Sequence, residues 1–332
     1  MINKRRIFLN KKIVFYLFLE AIIISLLFIF FIQNILGGVG SPNVTVITYL
    51  SIGESYPEIL NVTIDNKASS VILSPNTTKT VVCQALIRDY NNETDIANVT
   101  AEFYSNSSYY GDSDDNNYHY TNNSCVKYSN SSWYPGAGVD DNYTITANCS
   151  FQVWYYADPA RWNCTIFVND TKGLNSTNNG TINVSELLAL ELPNSISYGI
   201  VNATYVSDEN ITNVSNAGNV MINLSLKGWA VQESDGLAMN CSHGFVKNIS
   251  IEHEKYNLTA SNPGPLTLSQ VVVNYTNLTS LPVVRKFGLN YRQQDEYNDA
   301  TNATYWRIYV PIGVAGTCSG HIQFGATKAG GS

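Results

Sequence analysis

Residues 316–320 read Gly-Thr-Cys-Ser-Gly, the spacing of a nucleophile elbow with cysteine at its centre. Such an elbow needs a strand, a tight turn and a helix, with acid and base supplied downstream. Only twelve residues follow Gly320, they alternate like a strand, and His321 is the one histidine among them. Cys318 therefore reads as a disulfided strand residue whose flanking glycines permit close packing. The remaining histidines, His119, His243 and His253, lack His-Glu-x-x-His spacing. His253, between Glu252 and Glu254, reads as a solvated strand end. The chain is not read as an enzyme.

Asp112, Asp114 and Asn116 set oxygen ligands at alternate positions, as calcium loops do. Asn117 stands where such a loop has its glycine, and Asn123 where it has its acidic twelfth ligand. A solvated acidic loop is the default. Calcium is the one cofactor to consider, with Asp140 and Asp141 completing the site if the segment folds back. The same stretch holds Tyr109, Tyr110, Tyr118, Tyr120 and Tyr134. Aromatic rings among amide side chains offer stacking and hydrogen bonds to sugars or protein surfaces, so these tyrosines form a candidate binding loop.

Something must carry these groups out of the cytoplasm. Lys4, Arg5, Arg6, Lys11 and Lys12 precede a run from Ile13 to Ile32 that is apolar except for Tyr16, Glu20 and Ser25. Twenty helical residues reach roughly 30 Å, the thickness of the hydrocarbon core. The basic flank stays in the cytoplasm, so the expectation is a single-pass protein anchored in the bilayer, with its bulk extracytoplasmic. Cleavage near 37–40 is the alternative and would release the chain as a secreted protein, although no A-x-A-like site marks it. A pilin-type leader would use Glu20, but Phe15 occupies the position of the small residue at its cut site. The exported part carries 14 basic and 25 acidic residues, a net charge near −11, which repels a nucleic acid.

Six cysteines, at positions 83, 125, 149, 164, 241 and 318, all follow the apolar run. An even number in an exported chain reads as three disulfides, with fifteen possible pairings. No C-x-x-C pair suggests zinc or redox chemistry. Sequons occur about 25 times, among them Asn43, Asn61, Asn106, Asn130, Asn175 and Asn257 as glycosylation candidates. With charged residues at only 14%, a sugar coat would help keep the surface wet.

Short β-rich runs punctuated by Asn, Asp, Gly and Pro, with no helical period, indicate all-β sandwiches. They include Val44 to Tyr49, Thr80 to Ile87, Val99 to Tyr104, Tyr143 to Tyr156 and Arg161 to Val168, then Ile196 to Val206, Leu266 to Tyr275, Thr304 to Pro311 and Thr317 to Ala326. The expected layout is a basic leader (1–12), a transmembrane helix (13–34), a linker with a strand (35–50), a sandwich (51–182) with a polar insertion at 106–141, and a second sandwich (183–328).

Cys83 on a second strand, Trp162 two residues before Cys164, and the alternating apolar positions after that cysteine resemble an immunoglobulin-like domain. In that pattern a strand B cysteine pairs with one on strand F, and an aromatic at this offset, usually tyrosine, forms a corner. The resemblance implies Cys83–Cys164; with it go Cys125–Cys149, stapling the insertion, and Cys241–Cys318 in the second sandwich. Tryptophan in place of tyrosine implies a different corner hydrogen bond. The basic leader, the apolar helix, the aromatic-x-Cys strand and the runs Tyr305-Trp306-Arg307-Ile308-Tyr309-Val310-Pro311 and Gly316-Thr317-Cys318-Ser319-Gly320 are similar to those of hypothetical surface proteins of small-genome archaea. Together they imply tandem immunoglobulin-like β-sandwiches on a membrane anchor, with a structural, adhesive or recognition role. The partner would be a protein or glycan at the cell surface, or another copy of the chain. The alternative is a self-assembling filament or envelope-layer subunit.

Overall fold

A computed structural model describes residues 11–35, 43, 45–129, 134, 141–293 and 300–330. The chain divides into two compact units, Met1–Gly53 and Glu54–Ser332. In the first, α1 (Lys11–Ile35) is a 25-residue helix, apolar except for Tyr16, Glu20 and Ser25 where its side chains are described, from 14 to 29. Among the described residues no helix is long and apolar enough to cross a membrane. Residues 45–53 form no strand, contrary to the expectation for Val44 to Tyr49, and Val46, Ile47, Tyr49, Leu50 and Ile52 are exposed.

The second unit is all-β. Among the described residues its first strands are β1 (Glu58–Ile64), β2 (Ser70–Val71), β3 (Thr78–Arg88), β4 (Ile96–Ser105), β5 (His119–Asn122), β6 (Val126–Tyr128), β7 (Thr144–Trp154), β8 (Arg161–Asp170) and β9 (Asn175–Val184). They make one sheet in the order β1-β3-β7-β6 and another in the order β2-β9-β8-β4-β5. The β2–β9 pair is parallel and the other pairs are antiparallel. Strand β8 shows why they stack: every second residue, Trp162, Cys164, Ile166 and Val168, is fully buried. Side-chain period two turns that row toward the facing sheet, where Val81, Cys83, Ala85 and Ile87 of β3 complete the core.

Cys83–Cys164 bridges the two sheets, and Cys125–Cys149 ties the β5–β6 turn to β7. Trp162 stacks on Phe103 at 4.8 Å, and its indole N–H donates to the Asp158 carbonyl at 2.8 Å, four residues upstream. This is the altered corner bond that tryptophan was expected to require. One expectation fails in this half. The described part of 106–141 is not an insertion stapled to a finished sheet, because it supplies β5 to one sheet and β6 to the other.

The remaining strands are β10 (Leu190–Glu191), β11 (Asn210–Asn216), β12 (Ile222–Trp229), β13 (Leu237–Gly244), β14 (Asn248–Ser250), β15 (Glu254–Asn257), β16 (Thr276–Asn277), β17 (Val283–Leu289), β18 (Thr301–Ile308), β19 (Val314–Ser319) and β20 (His321–Lys328). They form three sheets, β10-β11-β18-β15-β16, β17-β12-β20 and β14-β13-β19. Trp306 sits at 0% exposure between Tyr256 and Phe324. Cys241–Cys318 joins β13 to β19. A Cβ at Gly320 would collide with the Ala238 carbonyl, so this glycine permits the close approach read from its motif.

Two strands expected here are absent. Leu266 to Tyr275 contains α2 (Leu268–Asn274), started by a capping box between Thr267 and Gln270 that outweighs three consecutive valines. Ile196 to Val206 carries no strand.

Buried asparagines fasten the two sets of sheets to each other. Asn219 donates to the Ala157 and Ser185 carbonyls at 3.0 and 3.1 Å and accepts from the Leu187 N–H at 2.6 Å. Asn117 donates to the Tyr156 and Arg292 carbonyls at 3.0 and 2.9 Å. Both side chains are at 0% exposure, so each must be satisfied where it lies.

Candidate functional site

The loop joining β4 to β5 lies at one end of the first pair of sheets and holds most of the residues singled out by type. It is pinned from inside. His119 is 1% exposed, with Nε2 3.3 Å from the Glu102 carboxylate and Nδ1 3.0 Å from Ser108 Oγ, and its ring stacks on Tyr104 at 5.4 Å. The Ser108 hydroxyl donates to Asp112 at 2.9 Å, and Asp112 also accepts from the Tyr109 N–H at 2.8 Å. Those bonds hold the Asp112 carboxyl below its ordinary range. Glu102 accepts from the Gly111 N–H at 2.6 Å.

A serine, a histidine and a glutamate in contact invite comparison with an acyl-transfer triad. In a triad the serine gives its proton to the histidine. Here Ser108 gives its proton to Asp112, the ring nitrogens contact the two partners in the opposite sense, and the histidine is sealed from solvent. The cluster fixes a loop conformation.

The loop presents Tyr109 (76% exposed) and Tyr110 (48%) to solvent. The structure does not keep the other candidate tyrosines with them. Tyr120 is core: its hydroxyl donates to the Asn116 carbonyl at 2.5 Å and accepts from the Trp154 N–H at 3.0 Å. Tyr134 is also buried. Tyr118 is half-buried, and burial together with the neighbouring Tyr291 pushes its hydroxyl up to about 12.

The calcium set is likewise divided. Asp112, Asp114 and Asn116 share the loop, but Asp141 lies at the far end of the sheets, paired with Arg88 at 3.0 Å next to the start of β4. The ten residues of β4 separate the two ends by roughly 30 Å. Asp140 lies outside the described residues, among which no group of three His, Cys, Asp or Glu side chains could hold a metal. Of the sequon asparagines, Asn43, Asn61, Asn106 and Asn175 are exposed, and Asn130 lies outside the described residues. Asn257 is half-buried, its amide nitrogen donating to the Asn274 carbonyl at 3.0 Å.

A second feature was not anticipated. A cavity of about 590 Å³ opens among β11, β12, β15, β20 and the stretch 192–198. Glu254 lines it at 2% exposure, with Oε1 accepting from the Tyr198 hydroxyl at 2.9 Å and Oε2 buried without a hydrogen-bond partner. Burial pushes the Glu254 carboxyl up to about 7, against the opposing pull of the Tyr198 bond. His253, read as a solvated strand end, is instead half-buried and packs edge-on against Tyr309 at 5.2 Å, and the residues after it, Glu254, Lys255 and Tyr256, are buried.

No family model matches the chain, and no curated protein matches it. Solved structures that align with most of it include the C-terminal domain of the Streptococcus agalactiae AgI/II polypeptide BspA, at 11% identity, 82% of this chain, 95% of that one and a TM-score of 0.22. The C-terminal domain of the Streptococcus pyogenes antigen I/II-family protein AspA aligns at 13% identity, 82% and 95% coverage and a TM-score of 0.25. A chain of a chaperone-tip adhesin complex of CFA/I fimbriae biogenesis aligns at 12% identity, 84% and 92% coverage and a TM-score of 0.29. Superpositions this loose carry no argument about what the chain does.

Proposed function

We propose that the chain is a membrane-anchored, extracytoplasmic recognition protein, built of two immunoglobulin-like sandwiches that meet near residue 183, and that it is not an enzyme. Anchoring rests on the sequence, a basic leader followed by the twenty-residue run from Ile13 to Ile32, and not on the described part of α1, which by itself is too short an apolar helix to cross a membrane. Three disulfides favour an oxidising compartment. The strand orders β1-β3-β7-β6 and β4-β8-β9, bridged from β3 to β8, follow the immunoglobulin A-B-E-D and C-F-G pattern with its B–F disulfide. Recognition is assigned to the β4–β5 loop, and the observation that carries it is the exposed pair Tyr109 and Tyr110 on a backbone held by the buried His119 together with half-buried Glu102 and exposed Asp112. Rigid aromatic anchors of this kind bind protein or glycan surfaces at low entropic cost.

Protease shaving of intact cells tests the topology: everything after the anchor is removed, whereas a protected full-length chain overturns the reading. Loss of cell-surface binding by a Tyr109→Ala/Tyr110→Ala protein with an unchanged melting temperature tests the loop; undiminished binding rejects it.

A filament or envelope subunit is the second reading, favoured by the unpaired apolar run Val46, Ile47, Tyr49, Leu50 and Ile52. Size-exclusion chromatography of the full chain beside a version starting at residue 54 separates the two. Only a self-assembling subunit loses its higher oligomers with that run.

A further inference from the structure

Glu254 occupies the inward-facing side of β15, in register with Ile308, while its neighbour Lys255 pairs with Arg307 on the opposite face. Neither cation reaches it. Lys255 bonds the Asn277 side chain, and Arg307 is consumed by the carbonyls of Ser207, Asn262 and Gly264 and by the Tyr275 hydroxyl. Lys227, beside the cavity residue Trp229, is paired with Glu233 at 2.6 Å. Among the described residues no lysine or arginine lines the cavity, and besides Glu254 and Tyr198 the titratable residue lining it is His321, stacked on Trp229 at 5.3 Å. The result is a buried acceptor oxygen with no hydrogen-bond donor, on a side chain that lines a space of about 590 Å³, within the range of small-molecule sites.

The cavity wall supplies the rest of a recognition site. Trp229, Phe324 and Ile196 offer apolar surface in the same lining as Glu254. A buried carboxylate is costly when unpaired, and a charge-assisted hydrogen bond from a ligand is the strongest way to satisfy it. We propose that this cavity binds a small organic amine, its ammonium group donating to Glu254 Oε2 and its apolar body lying against Trp229 and Phe324. The site is separate from the β4–β5 loop and stands whether or not that loop binds a surface partner.

The test uses the full-length chain in detergent micelles, with benzylamine as probe and benzyl alcohol as its uncharged counterpart, measured by calorimetry. Benzylamine binds at pH 8 at least about tenfold more tightly than benzyl alcohol, and its affinity falls about tenfold or more by pH 5.5 as Glu254 takes up a proton. Glu254→Gln removes the preference for the amine. A second readout that needs no variant follows the native Glu254 carboxyl by carbon NMR, whose titration midpoint moves down when benzylamine is saturating. Equal binding of amine and alcohol overturns the proposal. So does benzylamine binding that Glu254→Gln leaves intact, or a Glu254 midpoint that benzylamine does not move.

Discussion

Replacing Glu254 with glutamine should change how stability depends on pH. In the unfolded chain this carboxyl ionises near 4.5, whereas in the folded protein burial holds it protonated up to about 7. A folded-state value above the unfolded one means stability that is fully present below pH 4.5 and is lost as the pH rises through 7. A difference of about 2.5 pH units corresponds to about 3 kcal/mol withdrawn from the folded state by pH 8. Glutamine keeps an acceptor for the Tyr198 hydroxyl and cannot ionise, so the loss disappears. Urea unfolding of both proteins at several pH values between 4.5 and 8 is the assay. Relative to wild type, Glu254→Gln should gain about 3 kcal/mol between the two ends of that range. A difference between the proteins that is constant from pH 4.5 to 8 would refute the argument, since it would place the carboxyl in contact with water or with a cation.

Other perturbations probe other parts of the molecule. Arg307→Ala leaves three carbonyls without their donor and Glu209 without a nearby cation, and should cost about 3–5 kcal/mol in urea unfolding, with amides of 257–267 exchanging first. Removing Cys83–Cys164 by a double alanine substitution opens a bridge between residues 81 apart and should lower stability by about 4–5 kcal/mol. Ser108→Ala should speed hydrogen exchange across 106–118 while leaving the unfolding midpoint within about 1 kcal/mol, because it breaks only the link between His119 and Asp112.

Much of the first sandwich was legible because β8 alternates polar and apolar residues from Arg161 to Ile166 and β3 carries a nearly continuous apolar run from Val81 to Ile87. Strand β9 was not: its sequence Asn-Ser-Thr-Asn-Asn-Gly-Thr-Ile-Asn-Val has apolar residues only near its end, and it is held by backbone pairing to β8 along its whole length. Helix α2 was misread because Val271, Val272 and Val273 look like a strand, although the Thr267–Gln270 capping signal was present. Tyr109 and Tyr120 are indistinguishable by type, and only the pairing of β5 with β4 turns one outward and the other into the core. The β4–β5 loop depends on Glu102 meeting His119 across that same pairing. Glu254 was hidden most thoroughly: in the run Glu-His-Glu-Lys nothing distinguishes the one carboxyl that β15 turns inward, because its register against β18 is decided some fifty residues away.

Cys83–Cys164 ties two sheets together, and Cys125–Cys149 and Cys241–Cys318 fasten neighbouring segments of chain. Non-reducing peptide mapping of the chain purified from its own cells, with thiols alkylated at lysis, tests this most directly. The expected result is three cross-linked peptide pairs, Cys83 with Cys164, Cys125 with Cys149 and Cys241 with Cys318, and no alkylated cysteine. Six alkylated cysteines would contradict both the compartment and the way the sheets are joined.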